Sequence, residues 1–341
     1  MLVRAFTSLL TTVAIAAGPV ATIPTGSGNH PTAVAVQGSH AYVVNYCGTY
    51  CYGPLDVIDI DDPAAPALVG STPDSWGADA IALQGTDAYT SGYYANPNYM
   101  RIVDVANPAA PTSLAAFTTE GAAPQGLAVR GRFVYMVDNR ADRLDVIDVS
   151  DPDASWFSIT ENTSGDSLPL VARIRTAAGP SRIALQGSYA YVVNTVADDV
   201  QIVSVADPAR PVVVGTSPRL GPRGRRGLAG SDIAVSGDWA YVANDDTGRL
   251  DVLDVSDPAH PTAAASVAAG GGPDGIALSG QDAYVVSRAS NALEEYDIAT
   301  PARPSLVASQ PTGAEPDGVA VAGAYAYVAS YGADRLQVFA R

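Results

Sequence analysis

The chain has 341 residues, of which only 16% are charged, and 35 Asp and Glu against 19 Lys and Arg leave a net charge of −16. So acidic a protein repels a phosphate backbone, whose recognition rests on Lys and Arg, and nucleic acid is excluded as a partner. Ala, Val, Gly, Pro, Asp and Tyr dominate and no stretch reads as a long amphipathic helix, so apolar surface must be buried through strands and turns.

In chain order, Met1 to Arg4 carries one positive charge, Ala5 to Ala17 is mostly apolar, and Ala14-Ile15-Ala16 supplies small residues for a signal peptidase. Residues 1–17 are therefore expected to be a signal peptide, and the protein to be secreted, periplasmic or held at the cell surface. The segment is too short to span a bilayer, and no other stretch is a membrane-spanning candidate. Residues 18–341 are expected to form one domain. Cys47 and Cys51 lie four apart in a Tyr- and Gly-rich loop, and in an oxidising compartment they would close a small local disulfide. Zinc is the weaker reading, because His30, His40 and His260 have no ligand spacing to the pair.

Sliding the sequence along itself brings Tyr42, Tyr89, Tyr135, Tyr191, Tyr241, Tyr284 and Tyr327 into equivalent places, separated by 47, 46, 56, 50, 43 and 43 residues. Repeats of this length with strand-forming content are propeller blades, and seven copies predict seven. One copy reads Ile276-Ala277-Leu278, a Ser279-Gly280-Gln281-Asp282 turn, then Ala283-Tyr284-Val285-Val286. The third strand is clearest at Leu144 to Val149, where Ser150-Asp151-Pro152 ends the ladder, and a fourth follows as at Pro211 to Gly215. The seventh copy stops at Arg341 after its third strand, while Val20-Ala21-Thr22-Ile23 precedes the first. That orphan is expected to complete the last blade and close the ring, leaving no exposed edge. The expected fold is an all-β, seven-bladed propeller of four-stranded antiparallel blades.

The text Leu55-Asp56-Val57-Ile58-Asp59-Ile60-Asp61-Asp62-Pro63, repeated from Leu144 to Pro152 and from Leu250 to Pro258, resembles the LVIVD repeat family of bacterial and archaeal propellers. The Ala-Tyr-Val-Val second strand is shared with the related YVTN propellers. The resemblance spans nearly all of residues 18–341 and implies an extracytoplasmic or cell-surface protein of mostly unassigned biochemistry. It transfers no catalytic residue.

A residue that every blade repeats serves the blade, whereas a site must break the pattern. Asp59, Asp104, Asp148, Asp254 and Asp297 share one third-strand position, with Ser204 and Ala340 in the other two copies, and are expected to be buried acceptors of turn amides. By analogy with other propellers, the loops leading into each first strand and those joining strands two and three share the ligand-binding face. There, one ring reads Thr32, Asp79, Gln125, Ser181, Ser231, Asp274 and Asp317. Asp79, Asp274 and Asp317 either coordinate a hard cation such as Ca²⁺ or are turn residues. One position on, Ala33, Ala80, Gly126, Gly275 and Gly318 are small and leave the opening clear, while Arg182 and Asp232 stand on adjacent blades. That pair either orients a ligand or closes on itself as a salt bridge.

Other departures fall on the same face. Tyr93 and Tyr94 lie in a long loop of the second repeat, and Tyr46 and Tyr50 flank the cysteines, where each ring offers an apolar body with a polar tip. Arg219, Arg223, Arg225 and Arg226 crowd one loop and either capture an anion or are simply solvated. On the opposite face, an insertion from Trp156 to Pro169 is expected to cover the bottom of blade three. No serine elbow or phosphate loop is present. His30 is the histidine expected at the mouth, where it would work as a base with Asp79 or Asp232. Two readings follow: a monomeric binding module for a carbohydrate, small-molecule or protein ligand, needing no cofactor; or a hydrolase or lyase acting on a sugar, lactone or uronic-acid polymer through Arg182, Asp232, Asp79 and His30.

Overall fold

Each repeat folds into a four-stranded antiparallel sheet, because its apolar runs are short and are cut by Gly, Asp and Pro before a helix can propagate. The computed structural model describes residues 18–26, 28–46, 53–72, 77–92, 99–119, 123–151, 157–159, 170–221 and 231–341. Blades 1 to 7 occupy residues 30–71, 80–119, 124–175, 180–216, 231–268, 273–311 and 316–340. Strands run from innermost to outermost in chain order, and the innermost strands of neighbouring blades pack side by side around the axis.

The hairpin joining the first two strands is the same in every blade. Gly38, Gly85, Gly131, Gly187, Gly237, Gly280 and Gly323 all take positive φ, between 55° and 63°. Each is the first residue of a two-residue turn, where a side chain would be strained and glycine is not. Gln37, Gln84 and Gln186 then donate to the carbonyl of the next blade's turn glycine at 2.7, 2.5 and 2.6 Å, stitching the bottom face together.

Apolar residues form seven buried clusters, each lying between one blade and the next, so the core is a ring of interfaces. The seven repeat tyrosines sit in these clusters at 1–3% exposure. Strands buried on both faces explain the continuous apolar runs of the sequence. The ring closes as expected: Ala21–Pro24 pairs antiparallel with Arg335–Ala340 in blade 7, with Ala21 opposite Val338 and Pro24 opposite Arg335.

In six of the seven third strands one polar residue is buried among the apolar ones: Asp56, Arg101, Asp145, Asp251, Glu294 and Gln337. Asp56, at 2% exposure, receives hydrogen bonds from Asn45 at 3.0 Å and Ser71 at 2.8 Å. Asp251, Glu294 and Gln337 are held the same way by Asn244, Ser287 and Ser330. Burial lifts the Asp56 carboxyl to about 6 against those two hydrogen bonds.

Two expectations need correction. Asp59, Asp104, Asp148, Asp254 and Asp297 do accept turn amides two residues on, at 2.8–3.0 Å, but they are half-buried or exposed. Water reaches them because the Asp-Pro turn stands clear of the sheets. Of the insertion within blade 3, the described residues Phe157–Ile159 lie not on that blade but on blade 2, adding a fifth, parallel strand beside Phe117, Thr118 and Thr119; the rest of it lies outside the described residues. The outer edge of blade 2 offers unpaired backbone groups, which a nearby extended segment can satisfy.

Candidate functional site

The inner strands of five blades carry a β-bulge at the same place. Pairing with the second strand skips one residue between Pro31 and Ala33, Pro124 and Gly126, Pro180 and Arg182, Pro273 and Gly275, and Pro316 and Gly318. The skipped residues are Thr32, Gln125, Ser181, Asp274 and Asp317, so that ring is a set of bulges more than of hairpin turns. A bulge leaves its residue outside the ladder and re-aims the side chain.

Thr32, Asp79, Asp274 and Asp317 from this ring, and Arg182 and Asp232 from the next, line a cavity of ≈ 170 Å³ on the axis. The small residues of the second ring answer to crowding. A Cβ on Gly275 would lie 2.6 Å from the Asp317 carbonyl oxygen, and one on Gly126 would lie 2.6 Å from that of Ser181. Glycine lets the inner strands meet, and what opening remains is filled at blades 4 and 5 by Arg182 and Asp232.

Those two side chains do not pair. Among the described residues Arg182 makes no ion pair within 4.0 Å, and its hydrogen bond is to the Ser181 carbonyl at 3.2 Å. Asp232 has turned to backbone, accepting from its own neighbour Ile233 at 2.8 Å and from Ile276 of blade 6 at 3.2 Å. In place of the salt bridge, one of the two readings of this pair, there is a carboxylate that ties two blades together and a guanidinium with donors to spare. Burial pulls the Arg182 pKa down, but Asp232, Asp274, Asp317 and Asp79 outweigh it and hold the group firmly charged.

Asp274 and Asp317 occupy the bulges of the neighbouring blades 6 and 7. They hydrogen-bond to each other, and both face Nη1 of Arg288, at 3.6 and 3.9 Å. Burial and then the charge of Asp317 drive Asp274 well above the ordinary carboxylate range, against Arg182 and Arg288. Burial also raises Asp317, while Arg288, Arg182 and the hydrogen bond from Asp274 favour its ionised form. Both are thus raised by burial, and Asp274 is pushed further than Asp317.

Arg288 was missed by the sequence reading. It lies in the loop after the second strand of blade 6, pairs with Glu315 at 3.0 Å, and stacks over the Tyr331 ring at 4.9 Å. Tyr331 also stacks on His30 at 4.6 Å and near-parallel to Tyr46 at 6.4 Å. His30 therefore sits on the expected face but not where expected: its Nδ1 lies 2.7 Å from Asp334, and it does not line the cavity with Asp79 or Asp232. Among the described residues no group of three acidic, His or Cys side chains is arranged to hold a metal ion. Cys47, Cys51, Tyr50, Tyr93, Tyr94, Arg223, Arg225, Arg226 and the leader 1–17 lie outside the described residues.

The LVIVD repeat pattern matches residues 30–74, 78–119, 121–159, 180–217, 229–269 and 315–334. The chain belongs to the LVIVD repeat family. Blade 6, whose third strand reads Ala-Leu-Glu-Glu-Tyr-Asp, is the blade without a match, and it is the blade that supplies Asp274 and Arg288. No curated protein matches this LVIVD propeller. Solved structures of similar fold include the Pseudomonas aeruginosa periplasmic gluconolactonase, at TM-score 0.71 and 16% identity over 87% of this chain and 89% of that one. Kuenenia stuttgartiensis hydrazine synthase gives TM-score 0.70 and 15% identity over 93% and 97%. A Myceliophteria thermophila β-propeller domain gives 0.67 and 11% over 95% and 99%. At such identities the likeness is one of fold alone.

Proposed function

We propose that this LVIVD propeller binds a small, polar, hydroxyl-bearing ligand at the mouth of its central channel. The observation that carries the reading is Arg182, a guanidinium facing a polar cavity with a single hydrogen bond spent on protein. A cavity of ≈ 170 Å³ is below the roughly 300–1,000 Å³ typical of drug-sized ligands, which favours a single sugar-sized molecule over a polymer. Carboxylates and a guanidinium around one cavity suit hydroxyls, which both donate and accept. The apolar leader at residues 1–17 supports a protein that works outside the cytoplasm, where such ligands are met. Among the described residues no helix is long and apolar enough to cross a membrane.

Isothermal titration with D-gluconate, D-glucose and D-sorbitol tests the reading. Binding that disappears in Arg182→Ala supports it; unchanged binding in that variant, or none to any of the three, sinks it in favour of protein contacts on the loops. A second reading, turnover of a lactone, is favoured by the hydrogen-bonded Asp274 and Asp317, and a gluconolactonase is among the proteins of similar fold.

A further inference from the structure

We propose that Asp274 and Asp317 are a general acid–base pair that hydrolyses a small hydroxylated ester, cyclic or open, seated against Arg182. The inference deepens the turnover reading and rests on ligand binding at the channel mouth.

The spacing of the carboxyls selects the chemistry. Enzymes that cleave glycosides hold their two carboxyls about 5 Å or more apart, to flank a sugar carbon or admit water behind it. Asp274 and Asp317 meet closely enough to hydrogen-bond, so no such gap parts them; both also flank one Arg288 nitrogen, at 3.6 and 3.9 Å. Contacting carboxyls suit attack of water on an acyl carbon, where one takes a proton while the other gives one. Among the described residues nothing else in the cavity is a nucleophile poised by a base, since Thr32 is spent on the carbonyls of Val44 and Ala78 at 3.2 and 2.5 Å. Water is therefore the attacking group. An ester is within reach of such a site, having a more reactive acyl carbon and a better leaving group than an amide.

The step balances without a co-reactant. Water's oxygen bonds to the acyl carbon as Asp317 takes its proton, and the carbonyl oxygen gathers negative charge facing the Arg182 donors. The acyl–alkoxy bond then breaks, its electron pair stays on the leaving oxygen, and that oxygen takes the proton of Asp274. Acid and alcohol are released, and the proton on Asp317 returns to Asp274 through their hydrogen bond. Arg288 and Glu315 flank the pair from the loops of blades 6 and 7, and Arg182, Asp232 and Asp79 face it across the cavity. Burial raises both carboxyls and pushes Asp274 the further, while Arg288 and Arg182 favour the ionised form of Asp317, which makes Asp274 the better acid and Asp317 the better base.

Base uptake in a pH-stat with D-glucono-1,5-lactone, alongside p-nitrophenyl acetate, separates the two roles. Loss of the base in Asp317→Asn should lower kcat on both compounds by at least about 100-fold with KM little changed. Asp274→Asn should lose lactone hydrolysis to the same degree yet retain most activity on p-nitrophenyl acetate, whose leaving group departs without a proton. Equal losses on both compounds in Asp274→Asn, or full lactone activity in Asp317→Asn, would overturn the pair. Lactone or gluconate that binds by calorimetry without turnover overturns the acid–base assignment and leaves the binding site standing. Absence of both binding and turnover removes the two together.

Discussion

The carboxylate of Asp232 on blade 5 accepts a hydrogen bond from the Ile276 amide of blade 6 at 3.2 Å, joining two inner strands that share no ladder. Asp232→Ala should strip this and the 2.8 Å bond from Ile233, exposing two amides to the channel and costing about 1–3 kcal/mol. Asp232→Asn keeps one acceptor oxygen and should lose less than half as much. Urea unfolding of the two variants checks the difference; equal losses would mean the charge, not the hydrogen bonds, holds the blades.

Arg182→Ala should destabilise the protein more at pH 8 than at pH 5. Arg182 pulls down the pKa values of Asp232, Asp274 and Asp317, which burial has already raised. Without the guanidinium those folded-state values climb further, so stability present at low pH is lost more steeply as pH rises through them. A loss on the order of 2 kcal/mol is expected at pH 8, shrinking towards pH 5. A deficit independent of pH would assign Arg182 to packing alone.

Asp56 gives a cleaner titration. An unfolded aspartate ionises near about 3.9, whereas the buried Asp56 keeps its proton to about 6. Its contribution is therefore complete below about pH 4 and is lost as pH rises through 6, by on the order of 3 kcal/mol. Asp56→Asn has no proton to lose and should flatten that segment of the stability–pH curve, measured by urea midpoints from acid to neutral pH. An unchanged slope would show that the Ser71 and Asn45 hydrogen bonds keep Asp56 ionised.

Gly275→Ala would drive a methyl to within 2.6 Å of the Asp317 carbonyl, so the inner strands of blades 6 and 7 must part. A cost of about 1–3 kcal/mol is expected, together with weakened ligand binding because Asp317 moves with its backbone. Melting and titration calorimetry report the two effects; a melt at the wild-type temperature would show that the inner strands have room.

Calcium should leave the melting curve where EDTA leaves it. Two guanidinium groups face Asp274 and Asp317, and burial disfavours charge on both carboxyls, so a cation gains little there. A rise in melting temperature specific to Ca²⁺ would restore Asp79, Asp274 and Asp317 as ligands.

Periodicity made the scaffold legible. The tyrosine register, the turn glycines and the orphan strand at Val20 to Ile23 are repeated, local signals, and all match the folded blades. The site was legible as a ring of positions but not as a set of contacts. Asp274 and Asp317 read as turn residues because a bulge is a property of register, visible only once the second strand pairs. Arg182 and Asp232 read as partners because they are neighbours in the ring, yet the nearer amide of Ile276 captured the carboxylate. Arg288 and Tyr331 gave no signal, since each lies in a loop whose sequence differs from blade to blade. The Phe157–Ile159 strand was placed on the wrong blade because edge pairing is decided by proximity in space.

The repeated bulge has a consequence for how such a protein diversifies. Because the bulged residue stands outside the hydrogen-bond ladder, exchanging Thr, Gln, Ser or Asp there leaves the sheet intact. Duplicated blades thus arrive with an exchangeable position at the inner end of the first strand, three of which line the axial cavity here. Specificity can then change one position at a time, by single codons, while the ring that carries them stays closed.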